Sequence, residues 1–143
     1  MAEPVGGDLG LEAARAMWAA DRASKGLGME LVTLEPGRAV VRMAVRAEMV
    51  NGHDMAHGGF VFALADSAFA LACNSHGPVT VAAGCDITFV RSAKLGEVLE
   101  AEAVERVVFG RSGLTDASDW IGSCRLPSRF ARSRSTPSRT PPS

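Results

Sequence analysis

From Phe60 to Cys73 the chain is apolar except for Asp66 and Ser67. A helix that is apolar on every side is buried along most of its circumference, so the remaining residues have to be wrapped around this one. Asp66 makes the stretch unusual. At helical spacing its neighbours are Phe62, Ala63, Phe69 and Ala70, and none of them carries a positive charge. Burying an unpaired carboxylate is costly or forces its pKa upward. Such a group either turns toward solvent or a backbone donor, or faces a cleft and does chemistry. The Gly58-Gly59 pair just upstream favours the cleft.

At 143 residues the chain is long enough for one domain with a real core and too short for two. Its three cysteines, Cys73, Cys85 and Cys124, are odd in number and never spaced as CxxC. That argues against a disulfide framework or a zinc cluster and for a reducing cytoplasm. No basic segment followed by an apolar core opens the chain, so no signal peptide is expected. The longest apolar run is too short to span a bilayer, which argues against a membrane partner. The net charge of −1 hides an asymmetry. All 16 acidic residues lie at or before Asp119 with ten Lys/Arg, so 10 − 16 = −6, whereas residues 120–143 carry five Arg and no acid, +5. An acidic body argues against nucleic acid as the main partner.

The periodicity predicts a short amphipathic helix from Leu11 to Arg22, with Leu11, Ala14, Met17 and Trp18 on one face. Two short strands follow, Leu27–Leu34 and Ala39–Val45, joined by the turn Glu35-Pro36-Gly37-Arg38. The apolar helix begins at His57-Gly58-Gly59 and stops before Gly77-Pro78. Val79–Val90 reads as a long bulged strand, and Glu97–Val107 as a strand whose core face carries Val98, Ala101, Ala103 and Val107. A fifth strand starts near Leu114. From Asp119 onward neither helical nor strand periodicity is visible among the Arg, Ser, Pro and Thr residues. Residues 119–143 therefore read as a disordered basic tail, or as an end replaced by a shift of reading frame, with the sheet one or two strands short. The organisation expected is an N-terminal segment 1–24, a domain 25–118 and the tail 119–143. Its class is α+β, a central helix wrapped by a curved antiparallel sheet.

The series Asn51-Gly52-His53, His57-Gly58-Gly59, Leu64-Ala65-Asp66 and Asn74-Ser75, followed by Phe89-Val90-Arg91, resembles the hotdog-fold thioesterases. Within them it is most similar to the phenylacetic-acid-degradation branch, over about residues 25–115. The resemblance implies the hotdog fold, hydrolysis of acyl-CoA thioesters without a cofactor, and sites shared between the subunits of a homodimer or dimer of dimers. Small aromatic acyl groups such as phenylacetyl are the expected substrate class. Two rivals use the same cleft: a non-catalytic acyl-CoA-binding module with a sensing role, and a dehydratase, whose His-plus-acid pairing is not recognisable here.

Carried onto this chain, Gly58 matches the residue whose backbone N–H polarises the thioester carbonyl. Asp66 matches the carboxylate that either attacks the carbonyl or activates water, and Asn51 a polar residue that orients water or the carbonyl. The resemblance also places His57, Gly59, Ser67, Asn74, Arg91 and Lys94 at the substrate, the last two against the CoA phosphates. Gly58 at a helix start is suited to a developing oxyanion on physical grounds as well. It lies eight residues from Asp66, roughly 12 Å along a helix axis. One chain therefore cannot bring both to a single carbonyl, whereas a two-fold partner can. His53 and His57 are four apart like metal ligands, yet no third ligand completes a set, so no metal is expected.

Overall fold

The computed structural model describes residues 6–89, 91–121 and 124–134, with side chains from residues 8–89, 91–119 and 129–132. Two helices, α1 (Gly6–Ala20) and α2 (Arg22–Gly26), precede the hairpin of β1 (Glu30–Glu35) and β2 (Arg38–Ala44). The Pro-Gly turn between these strands is made possible by Gly37 at φ +73°. A 3₁₀ turn at Ala47–Met49 leads through a loop into α3 (Gly58–Asn74). The chain then runs through β3 (Thr80–Ile87), β4 (Val98–Phe109), β5 (Ser112–Ile121) and β6 (Cys124–Arg134).

The six strands form one antiparallel sheet in the order β1-β2-β4-β5-β6-β3. Its concave core face receives α3, which packs against β2, β4 and β5, while α1 also lies on α3. Leu64, Ala65, Ala68, Phe69, Leu71 and Ala72 are almost wholly buried along the helix, as its apolar sequence requires. One stripe along the body of α3 remains only half-buried, namely Phe62, Ala63, Asp66, Ser67 and Ala70. Those positions recur every three or four residues and so share one face. No helix is long and apolar enough to cross a membrane among the described residues.

Three expectations change. The first helix begins at Gly6, five residues ahead of the Leu11 start that periodicity indicated, because Gly and Asp residues at its opening carry no apolar signal. In β4 the inward residues are Leu99, Ala101 and Ala103, fully buried, whereas Val98 and Val107 are 47% and 44% exposed. Val98 is out of phase with Leu99, Ala101 and Ala103 and so lies on the other face, while a register shift against β5 between Glu105 and Val107 turns Val107 away from the face that Ala101 and Ala103 share. The bulge expected in the strand after α3 is present between Ala82 and Gly84.

The third change concerns the end of the domain. No boundary falls at residue 119: β5 continues to Ile121 and β6 pairs with β5 and β3 from Cys124 to Arg134. Phe130, fully buried, stacks on Phe69 at 4.6 Å between ring centroids and on Phe62 at 5.8 Å. This strand covers the helix surface that a shortened sheet would have left bare. Residues 135–143 of the expected tail lie outside the described residues.

The fit of this last hairpin is uneven. Asp119 is 0% exposed and neither carboxylate oxygen has a hydrogen-bond partner among the described residues. Burial alone pushes its pKa up to about 8. Arg132 is 2% exposed; its Nη1 lies 3.3 Å from Glu105 and 3.4 Å from the Cys73 carbonyl at the negative end of α3. Its Nε and Nη2 find no partner among the described residues. Asp119 and Arg132 do not neutralise each other. Arg132 is in register with Gly113, six residues along β5 from Asp119, roughly 20 Å at the usual rise of a strand.

Candidate active site

The loop before α3 sets up its first turn. Asn51 Oδ1 accepts from the backbone N–H groups of His53 (2.9 Å) and Met55 (3.2 Å), closing a tight loop in which Asp54 takes φ +58°. The carbonyl end of Asn51 is thus committed to the loop, which leaves its amide hydrogens as what the side chain has to offer a ligand. His57 is the N-cap of α3: its Nδ1 accepts from the Gly59 N–H at 3.1 Å. With Nδ1 an acceptor, the neutral ring carries its proton on Nε2. His57 also meets Phe60 edge-on at 6.2 Å.

These contacts dispose of the helix-terminal donors in an orderly way. Gly59 N–H goes to His57 Nδ1 and Phe60 N–H to the His57 carbonyl, whereas no acceptor among the described residues takes the Gly58 N–H. An unoccupied N–H at the positive end of a 17-residue helix is suited to an oxygen bearing developing negative charge. Gly58 opens onto a cleft of about 360 Å³ lined by Met55, Ala56, Val61, Phe89, Arg91, Ser92 and Ala93. A Cβ on Gly58 would approach the Phe89 ring to 3.1 Å, so glycine keeps the cleft open at this point.

Asp66 stands two turns further along α3. Its carboxylate is half-buried and has no cation or hydrogen-bond donor among the described residues. Desolvation raises its pKa above the ordinary aspartate value, and the nearby charge of Asp21 raises it further. The side chain sits on the half-buried stripe of α3, and its charge is felt by Cys85 on β3. Ser67 shares a 2.8 Å hydrogen bond with Ser24 of α2.

The remaining predicted residues divide. Arg91 lines the cleft beside Gly58, and its guanidinium lies 3.7 Å from Glu97. Lys94 is exposed in the following turn, where its N–H meets the Glu97 carboxylate at 3.3 Å. Asn74 does not reach a site. Its Nδ2 donates to the carbonyls of Ala70 (2.8 Å) and Thr80 (2.9 Å), and its Oδ1 accepts from the Thr80 N–H. Both amide hydrogens are therefore used in tying the end of α3 to β3, and Asn74 holds the fold in place of a ligand. Cys73 is likewise a core residue, with burial pushing its thiol up to about 12.

Three contributors escaped the sequence reading. Phe89 and Val61 wall the cleft around Gly58, and Asp21 acts on Asp66 from α2. Phe89 was visible in the Phe89-Val90-Arg91 stretch at the end of an apolar strand, but with no role assigned to it. The signal for Asp21 was its N-cap position, with a side chain that accepts from the Ser24 N–H.

Comparison with known proteins shows what the chain is similar to. The model of the thioesterase superfamily matches residues 53–118, which span the Gly58 helix start, Asp66 and the cleft. The acyl-coenzyme A thioesterase PaaI of Escherichia coli (strain K12) is 45% identical over 103 residues, 72% of this chain and 74% of that protein. The structure of the E. coli PaaI protein from the phenylacetic acid degradation operon superposes with a TM-score of 0.87 at 36% identity, covering 92% of this chain and 96% of that one. A mutant of the phenylacetic acid degradation protein PaaI from Thermus thermophilus gives a TM-score of 0.77 at 36% identity, covering 81% of this chain and all of that one.

Proposed function

This chain belongs to the thioesterase superfamily, and from that premise we propose that it hydrolyses acyl-CoA thioesters, with small aromatic acyl groups such as phenylacetyl as the preferred class. The observation that carries the reading is the pair formed by the unoccupied Gly58 N–H and the unpaired, half-buried Asp66 on one helix. The thioester carbonyl oxygen accepts from the Gly58 N–H, which stabilises the negative charge that grows on it. Asp66 then serves in one of two ways. As a base it takes a proton from water while the water oxygen bonds to the carbonyl carbon; the C–S bond breaks and CoA leaves as a thiolate. As a nucleophile its oxygen bonds to that carbon directly, CoA leaves, and water hydrolyses the resulting anhydride. Arg91, which lines the cleft, and the exposed Lys94 are the cations this reading assigns to the anionic CoA phosphates.

Because Gly58 and Asp66 are about 12 Å apart on α3, each site takes Gly58 from one copy and Asp66 from a second. Two features support this arrangement. Among the described residues strand β3 ends the sheet, pairing with β6 alone, and its residues are largely exposed. An open edge of this kind is a ready template for a second strand. The stripe of Phe62, Ala63, Asp66 and Ala70 then faces the two-fold partner.

Incubating the protein with phenylacetyl-CoA and a thiol reagent should release free CoA catalytically, faster than with acetyl-CoA. Stoichiometric binding without CoA release would favour the sensing module in its place.

A further inference from the structure

A chain of hydrogen bonds runs from α2 to the residue beside Asp66. Ser24, only 2% exposed, donates its hydroxyl to Asp21 Oδ2 at 2.6 Å and lies 2.8 Å from the Ser67 Oγ. A serine hydroxyl has one proton, and an ionised carboxylate can only accept. The Ser24 proton is therefore spent on Asp21, and the Ser67 hydroxyl must donate to Ser24. Ser67 Oγ is left as an oriented acceptor next to Asp66 in the sequence of α3. Asp21 is itself held in place, since its Oδ1 accepts from the Ser24 N–H at 2.9 Å.

We infer that Asp21 and Ser24 are positioning residues for the hydrolytic centre, Ser24 orienting Ser67 beside Asp66 and Asp21 setting the electrostatic surroundings of Asp66 from across the α2–α3 contact. The inference rests on the thioesterase reading above. The Ser24–Ser67 bond ties the turn of α3 that carries Asp66 to α2, which matters because small misplacements of a reacting group are costly. The charge of Asp21 opposes ionisation of Asp66, second to the desolvation of Asp66 itself. The other titratable groups that register the Asp66 charge are Cys85 on β3 and Cys73 on α3, both thiols whose own shifts are led by burial. No cation faces Asp66 among them.

Three variants measured on phenylacetyl-CoA test the inference. Ser24→Ala should lower kcat about tenfold with KM nearly unchanged, the pattern for a positioning contact made in the transition state. Asp21→Ser keeps an N-cap side chain but removes the charge. It should leave Tm unaltered and move the acidic limb of the kcat/KM profile to lower pH, a change that a merely structural role would not produce. In an Asp66→Asn background neither substitution should reduce the residual turnover further. The inference is overturned if Asp21→Ser leaves the acidic limb in place or if Ser24→Ala turns over at the unaltered rate. Loss of activity in Asp66→Asn alongside such results would confine the failure to this inference, whereas full activity in Asp66→Asn would remove the hydrolytic reading with it.

Discussion

Asp66→Asn should lower kcat by about a hundredfold or more while the protein keeps its fold, as expected for loss of a positioned base or nucleophile. The substitution preserves shape and removes only the charge. Nothing in the fold depends on that charge: the carboxylate has no hydrogen-bond donor or cation among the described residues, and desolvation and Asp21 both disfavour it. Stability should therefore hold or rise. The pH dependence has a definite sign. Ionised Asp66 is the active form in both mechanisms, and its pKa is raised, so kcat/KM should fall with acidification at a higher pH than an ordinary aspartate would give. Steady-state kinetics beside a thermal melt checks both halves. Unimpaired turnover in Asp66→Asn would remove Asp66 from the reaction.

Asp119→Val should stabilise the protein on the order of 4 kcal/mol at pH 7. Burial holds the Asp119 carboxyl at about 8 in the folded chain against an ordinary value of 3.8. Below both values the carboxyl is protonated in either state and ionisation contributes nothing. As pH rises from about 4 to 8 the unfolded chain gives up its proton while the folded chain retains it, so stability falls across that window. A valine has no charge to desolvate and fits a strand. The register places it opposite Ala101 of β4, which is fully buried. For a chain of this size the gain corresponds to a rise in Tm of about 10 °C, measured at fixed protein concentration. The variant should also lose most of the decline in stability between pH 4 and pH 8. Coincident Tm–pH curves for the two proteins would contradict the assignment of Asp119 as a buried, uncompensated carboxyl.

The helix at the centre of the fold was legible because its sequence leaves no alternative. From Phe60 to Cys73 nearly every residue is apolar, His57-Gly58-Gly59 marks its start and Gly77-Pro78 its end. Of the last hairpin only the start of β5 near Leu114 was legible, and the inward face of β5 shows why the rest was not. Gly113, Thr115, Ala117 and Asp119 point to the core, a set with no large apolar member and one acid. Strand periodicity cannot be read from such residues; pairing with β4 and β6 holds them there. A register shift likewise turned Val107 outward, whereas Val98 is simply out of phase with Ala101 and Ala103. Within the site, Gly58 and Asp66 were legible from local chemistry, since a glycine at a helix start and a lone acid in an apolar helix each demand explanation. Asp21 and Ser24 were not, because their role depends on a contact spanning 43 residues between Ser24 and Ser67. Asn74 stood in the right motif, but its amide is consumed by the turn into β3.

The claim on which the mechanism turns is that Gly58 and Asp66 of one site come from different copies of the chain. It is tested by pairing two inactive variants. Gly58→Val places a branched side chain where the Gly58 Cβ would already crowd Phe89, closing the cleft at the carbonyl end. Asp66→Asn disables the other half. The two are co-expressed with different tags and the doubly tagged hybrid dimer is isolated. A site shared across the two-fold then reunites an intact Gly58 with an intact Asp66 at one of the dimer's positions. The hybrid should hydrolyse phenylacetyl-CoA at about half the unaltered rate per dimer, far above either parent variant. A hybrid no more active than its parents would place both groups within a single chain and contradict the account.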